Sequence, residues 1–242
     1  MDQASLIDSA SILVIRDNAD DGELEVLMMK RNANIEFAGG AYVFPGGKFD
    51  PDDVNGSYGS KSFPPGYSEL MLTAYREVFE ESGLIIGDAS GAEQYRDGLL
   101  SGELTFSEII NKANIEFHSD DILPFAHWVT PRVYPKRFDT RFFIAKAPLG
   151  QVAREDGREA VSIKWVKPLE FIDNFREEMM FPTIMNLKLL AQAFNVAEAF
   201  EQTRARKIIT VEPKLLNGLR VIDPAAGYGE VDQDNIHQGV KK

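Results

Sequence analysis

The sequence predicts a mixed α/β (α+β) fold on two observations. Short runs rich in β-branched and aromatic residues are bounded by turn formers, and they are interspersed with longer segments whose apolar residues recur every three or four positions. Ala10 to Arg16 and Glu25 to Lys30 read as strands, and the turn-rich Asp17-Asn18-Ala19-Asp20-Asp21-Gly22 between them makes a hairpin the simplest pairing. Gly39 to Gly47 is an apolar segment closing on a Pro45-Gly46-Gly47 turn, where glycines let backbone amides approach an anion. Ser68 to Ser82 places Met71, Leu72, Tyr75, Val78 and Phe79 on one side and carboxylates on the other, an amphipathic helix expected to turn its acids outward. Gly83 supplies the left-handed residue that closes it, and Leu84-Ile85-Ile86 follows as a short buried strand or its approach.

Gln94 to Ile115, with Leu99, Leu100, Phe106, Ile109, Ile110 and Ala113, reads as a helical insertion. Ala126 to Pro131, Arg141 to Lys146 and Ser162 to Val166 are strand-like, with Phe142-Phe143-Ile144-Ala145 placed in the central sheet. The pattern is helical from Leu169, and Pro182 to Arg204 has the length and apolar spacing of one longer helix. Ala225 to Lys242 is polar and glycine-containing, as a loosely packed tail is. With no internal repeat or linker, residues 1–242 are expected to form one elaborated domain. Its helical insertion spans about 88–122, its C-terminal helical extension about 169–224, and its polar tail 225–242.

Composition narrows the function. The 242 residues are 44% hydrophobic without any run long enough to span a bilayer, so one substantial core and no membrane partner are expected. A net charge of −12 disfavours a nucleic-acid polymer as partner and leaves room for a small phosphorylated substrate. The absence of cysteine removes disulfides, thiol nucleophiles and Cys-based zinc sites. Met1-Asp2-Gln3-Ala4-Ser5 lacks a basic, apolar leader, and Gly239-Val240-Lys241-Lys242 is not a Ser-Lys-Leu address, so the expected location is cytoplasmic. Oligomeric state is not encoded in any motif, and a homodimer is compatible with the chain.

The most informative segment is Arg76-Glu77-Val78-Phe79-Glu80-Glu81-Ser82-Gly83-Leu84. On a helix Glu77, Glu80 and Glu81 fall within about 100° of one face, and like charges three or four apart cost roughly 0.2–0.5 kcal/mol per pair. Such a row calls for a cation, and a divalent metal is the natural one. A plain solvated acidic face and a surface salt bridge for Arg76 are the alternatives that the helix alone leaves open.

With the upstream glycines, the segment resembles the Nudix box: Gly, five residues, Glu, seven residues, then Arg-Glu, an aliphatic residue, any residue, Glu-Glu, any residue, Gly and an aliphatic residue. The second half matches at every specified position, and Gly47 stands as the opening glycine. Counting forward from Gly47 puts Asp53 where Glu is expected, and counting back from Arg76 puts Ser68 there. About fifteen residues are therefore inserted, in a polar, turn-rich loop of about 53–67. The resemblance implies a Nudix fold, a mixed β-sheet sandwiched between helices. It also implies Mg²⁺ or Mn²⁺ held by Glu77, Glu80 and Glu81, Arg76 orienting Glu77, and Gly46 and Gly47 near substrate phosphate.

The interrupted box, Phe44-Pro45-Gly46-Gly47, His127-Trp128-Val129-Thr130-Pro131, Arg137-Phe138-Asp139-Thr140-Arg141-Phe142-Phe143 and Trp165-Val166-Lys167-Pro168 are similar to the coenzyme A diphosphatase-like branch related to a peroxisomal mammalian enzyme. That likeness implies hydrolysis of coenzyme A or acyl-coenzyme A to 3′,5′-adenosine bisphosphate and (acyl-)4′-phosphopantetheine. One position departs: bacterial coenzyme A pyrophosphatases carry Arg four residues before the Gly that precedes Phe-Pro-Gly-Gly, and here it is Glu36, although Arg31 and Gly40 fit. Diphosphatases for nucleotide sugars, dinucleotides or other nucleoside diphosphate derivatives therefore stand as an alternative, and a non-catalytic Nudix-fold ligand sensor as another.

Further candidates lie outside the box. Glu159, in a loop six residues before Trp165, resembles an acid that faces the metal in related proteins and is the first candidate for general base, with Glu155 second. Arg137 and Arg141 flank Asp139 and offer guanidinium forks to a substrate phosphate, or pair with acids on their own strand. Trp128 and Tyr134 could stack on a base or belong to the core. His118, His127 and His237 show no ligand spacing and read as structural.

Overall fold

The computed structural model describes residues 5–54, 66–68, 70–89 and 91–233. Most of the expected 53–67 insertion, His237 and the end of the tail lie outside the described residues. Within them, the expected mixed sheet flanked by helices is present.

Strand β1 (Leu6–Asp17) forms the expected antiparallel hairpin with β2 (Leu24–Arg31), Ile15 opposite Val26. On its other side β1 runs parallel to β6 (Arg137–Lys146) over ten residue pairs, which makes the sheet mixed. The order is β3 (Tyr42–Val43), β2, β1, β6, β5 (Ile122–Val129) and β8 (Thr210–Val211), with β4 (Gly46–Lys48) added to β1 and β7 (Ala160–Val166) to β2. Ile12, Leu13, Val14 and Ile15 are all wholly buried, because β1 has a helical layer on each face.

Alternate residues divide between two cores. Ala10, Ile12, Val14 and Phe143 pack against α1 (Met71–Ser82) and α3 (Phe106–Ala113) through Leu72, Val78, Phe79 and Ile109. Leu13, Ile15 and Ile144 pack against α4 (Pro168–Phe175), α5 (Phe181–Leu190) and α6 (Val196–Ala205) through Phe171, Ile184, Leu187 and Phe200. The period-two register of β1 thus selects which side chains meet the acidic helix.

Several expectations change. The single helix over Pro182 to Arg204 is two helices, because Asn195 takes an extended conformation and its side chain caps α6 by accepting from the Glu198 N–H at 2.9 Å. Residues 225–233 are not loosely packed: Tyr228 and Asp232 are buried, and Tyr228 Oη accepts from Trp128 Nε1 at 2.7 Å and donates to Asn186 Oδ1 at 3.0 Å. Pro45-Gly46-Gly47 is not a turn, since Gly46 to Lys48 pair antiparallel with Ser9 to Ser11 as β4. Leu84 to Ile86 is buried but unpaired as a strand, and Ile85 exchanges backbone hydrogen bonds with the Gln151 side chain at 2.8 and 3.0 Å. The insertion after α1 contains two short helices, α2 (Arg96–Ser101) and α3, the latter held by a Thr105–Glu108 capping box.

Candidate active site

Helix α1 ends where expected: Gly83 has φ 74° and its N–H donates to Phe79 O at 2.9 Å. Its carboxylates, however, do not all face outward. Glu77 and Glu81 are 9% and 3% exposed, while Glu80 is only partly covered. The cause is β4, which lies directly over this face. A Cβ on Gly47 would stand 2.3 Å from Glu77 Oε1, and the Gly46 N–H donates to Glu81 Oε2 at 2.8 Å. The two glycines therefore serve first by letting a strand backbone meet two buried carboxylates, and one of the amides offered to an anion is already bonded to Glu81.

Arg76 organises the acids from the side. Its guanidinium donates to Glu77 Oε1 at 2.8 Å and Glu80 Oε2 at 3.0 Å through Nη1, and to Asp53 through Nε at 2.9 Å and Nη2 at 3.1 Å. Asp53 is itself buried and accepts from Thr73 Oγ1 at 2.8 Å. The short 3-10 turn that carries it, Pro51–Val54, is tied to α3 by the Ser107 hydroxyl, which donates to Asp52 O at 3.3 Å. The insertion after α1 thus buttresses the residue that fixes Arg76. Asp53 was legible only as the shortened acid six positions after Gly47, and the structure gives it the task of anchoring Arg76.

A second guanidinium enters from β2. Arg31 donates to Glu159 Oε2 at 3.2 Å through Nη2, and its Nη1 lies 3.9 Å from Glu81 Oε1. Pairing between β2 and β7 shifts register at Lys30/Arg31, and such an irregularity re-aims a side chain at a site. Arg31 was noted in the sequence only as fitting a motif, and no spacing rule could have paired it with α1.

The sequence candidates therefore divide. Gly46, Gly47, Arg76, Glu77, Glu80, Glu81 and Glu159 are brought together, with Glu159 exposed at the edge beside Arg31. Arg141 and Arg137 are engaged elsewhere. Arg141 pairs with Asp139 and His127, and Arg137 donates to Thr130 O at 3.0 Å and to Glu212 Oε1 at 3.4 Å. Ala10 pairs with Gly47 on one side and Arg141 on the other, so the two backbones are about 10 Å apart. Glu155 is exposed, and Trp128 is buried against Tyr228 and Phe181 rather than available for stacking. His127 bridges Asp139 and Thr210, and His118 pairs with Asp88, both structural partners.

Charge repulsion and burial set the chemistry. Burial pushes the Glu77 carboxyl up to about 7, against Arg76 and assisted by Glu80. Burial and the neighbouring Glu77 push Glu81 well above the usual carboxylate range, against the Gly46 N–H and Arg31. Glu80 is raised by burial, moderated by Arg76. Burial opposes the charge on Arg76, but Glu77, Asp53 and Glu80 outweigh it and hold it protonated. Among the described residues no three acidic or histidine side chains close on a common point; the carboxylates are drawn to Arg76, Arg31 and Gly46. An all-oxygen set of mutually repelling, partly desolvated carboxylates is nevertheless the donor chemistry that a hard divalent cation requires.

Comparison with known proteins finds similar chains. No family model matches the chain. It is 23% identical over 231 residues to nudix hydrolase 7 of Caenorhabditis elegans, covering 90% of this chain and 73% of that protein. It is 22% identical to the acyl-coenzyme A diphosphatase NUDT19 of Xenopus laevis, over 66% of this chain and 57% of that one. The crystal structure of a NUDIX hydrolase from Alicyclobacillus acidocaldarius superposes with a TM-score of 0.72 and 26% identity, covering 82% of this chain and 96% of that one.

Proposed function

We propose, from the premise that the chain is a Nudix hydrolase, that it hydrolyses coenzyme A or an acyl-coenzyme A at its diphosphate with a divalent cation, Mg²⁺ or Mn²⁺. The products are 3′,5′-adenosine bisphosphate and (acyl-)4′-phosphopantetheine. The observation that carries the reaction class is the burial of Glu77 and Glu81 under the glycine strand, with Arg76 fixed by Asp53. Buried like charges are costly to fold without purpose, and here they are held in place by a dedicated network. The substrate is supported by the sequence likeness to an acyl-coenzyme A diphosphatase and by the interrupted box.

Glu77, Glu80 and Glu81 are the residues to hold the cation. Its contribution is to neutralise the adjacent phosphate oxygens and stabilise charge as the linkage breaks. The chain supplies the rest. Arg76 fixes the Glu77 and Glu80 carboxylates through its two bonds, and Gly46 fixes Glu81. Glu159, exposed and paired with Arg31, is our candidate for accepting a proton from an attacking water. The complete set of carboxylates speaks against a silent ligand sensor, in which at least one ligand is expected to be lost.

Glu36 supports the second reading. It is exposed where the bacterial coenzyme A enzymes carry Arg, and a carboxylate there repels a phosphate instead of binding it. Nucleotide sugars and dinucleotides accordingly belong in the same assay. The test is turnover by purified Glu80→Gln and Glu81→Gln with saturating Mg²⁺ or Mn²⁺. Both lose most hydrolysis while remaining folded; unchanged turnover in either refutes the ligand assignment.

A further inference from the structure

The surface at the N-terminal end of β1 and β6 carries an aromatic pair that no part of the reaction so far uses. Phe37 and Phe138 lie with ring centroids 5.1 Å apart, inclined at 46°. Phe37 is 38% exposed, although a residue of its size ordinarily turns inward. Lys136 stands over both rings, its ammonium 5.7 Å from one centroid and 5.8 Å from the other.

The β5–β6 side of this surface is basic, while exposed Glu36 beside Phe37 is the acid on its loop side. Between Asp121 and Asp139 there is no acidic residue, whereas Arg132, Lys136 and Arg137 all fall there, in a protein of net charge −12. Arg132 and Lys136 are exposed. An aromatic surface with cations along one side suits a planar base whose phosphate lies on that side, away from Glu36.

The pair is also fixed and adjacent to the acidic site. Phe37 sits in the loop that leaves Arg31, and Asn32 N–H donates to Glu159 O at 2.8 Å while Gly40 N–H donates to Arg31 O at 3.2 Å. Within the loop a Cβ on Gly39 would meet Ile35 O at 2.4 Å, so the backbone closes tightly on itself and presents Phe37 at little further ordering cost. Phe138 pairs with Ile7, three residues along β1 from Ala10, which pairs with Gly47. Gly47 and Phe138 lie on opposite sides of β1, about 10 Å apart along the strand and about 10 Å across it, so the backbones stand about 14 Å apart, the order of an extended nucleoside diphosphate.

We propose that Phe37 and Phe138, with Lys136, form the subsite for the adenine nucleotide half of the substrate, the base stacking on the rings and Lys136 pairing with a ribose 3′-phosphate. The proposal rests on the diphosphatase reading and narrows it to substrates with a phosphorylated adenosine. Phe37 and Lys136 are exposed, so their truncation leaves the fold intact.

Calorimetric titration of the full chain with 5′-AMP and with 3′,5′-adenosine bisphosphate tests it. Phe37→Ala weakens both about tenfold, equivalent to ~1.4 kcal/mol, and Phe37→Trp restores them. Lys136→Ala weakens the bisphosphate and leaves AMP unchanged. Failure of the wild type to bind either nucleotide, or wild-type affinity in Phe37→Ala, overturns the subsite. Loss of AMP affinity equal to that for the bisphosphate in Lys136→Ala overturns the role of the 3′-phosphate. Hydrolysis of any diphosphate by the wild type is scored separately, so a chain that hydrolyses with unaltered KM in Phe37→Ala refutes this inference and leaves the reaction class standing.

Discussion

Gly47→Ala separates catalysis from folding. A Cβ at this position meets Glu77 Oε1 at 2.3 Å, Cδ at 2.5 Å and Oε2 at 2.7 Å, where ordinary contact begins at 3.4 Å. The carboxylate must therefore retreat by about 1 Å, and a displacement of that size at a reacting centre costs roughly 10²-fold in rate. What moves is the far end of a side chain, so the fold adjusts without strain in the backbone. Loss of the Arg76–Glu77 hydrogen bond costs about 1 kcal/mol, or roughly 2–4 °C in Tm for a chain of this size. Gly46→Ala is the contrast, because its Cβ meets Ala10 O at 2.5 Å and Ser11 Cα at 2.7 Å, both backbone atoms of β1. It should lower stability far more than Gly47→Ala does. The assay is kcat at saturating Mg²⁺, alongside Mn²⁺ affinity by spin resonance and a thermal melt. Wild-type turnover and Mn²⁺ affinity in a folded Gly47→Ala protein would refute the argument that the glycine exists to seat Glu77.

Three further outcomes follow from the same network. Asp53→Asn removes the charge that anchors Arg76 and leaves a buried guanidinium poorly compensated; a destabilisation of about 3 kcal/mol in urea melts is expected, with reduced turnover in the folded fraction. Arg31→Gln releases Glu159 and removes a counter-charge from Glu81, so kcat falls while Mn²⁺ binds more tightly; a fall in both kcat and Mn²⁺ affinity contradicts that placement. In the presence of a chelator, stability depends on pH through Glu77. Its folded carboxyl lies near 7 and its unfolded one near 4.5, so ionising it in the folded chain costs about 3 kcal/mol, and the Tm should fall as pH rises from about 4.5 to 7. Added Mg²⁺ should reverse this fall with release of protons, and a Tm flat across that window argues against the buried carboxylate.

Local rules carried much of this molecule. Gly83 marked the end of α1, the Asp17–Gly22 segment marked the β1–β2 hairpin, and the spacing of Glu77, Glu80 and Glu81 marked the candidate site. What those rules missed depends on contacts distant in sequence. An amphipathic helix is expected to turn acids to water, and only the pairing of β4 with β1 reveals that two of them are covered. Arg31 reaches Glu159 across 128 positions, a link set by the β2–β7 register and invisible to periodicity. The break between α5 and α6 was obscured because apolar spacing continues through Ala193 and Phe194, although Asn195 carried the capping signal. Arg137 and Arg141 had the right chemistry for phosphate, and the sheet gave them Glu212, Asp139 and His127 as partners.

The most direct test of the account is product analysis by mass after incubation in H₂¹⁸O with Mg²⁺. The substrates are coenzyme A, its thioesters, nucleotide sugars, dinucleotides and nucleoside triphosphates. The account predicts cleavage of coenzyme A species to 3′,5′-adenosine bisphosphate and 4′-phosphopantetheine, with one ¹⁸O in one of the two phosphates and none without metal. Strong turnover of another class with none of coenzyme A contradicts the substrate, and no diphosphate cleavage across the panel contradicts the reaction itself.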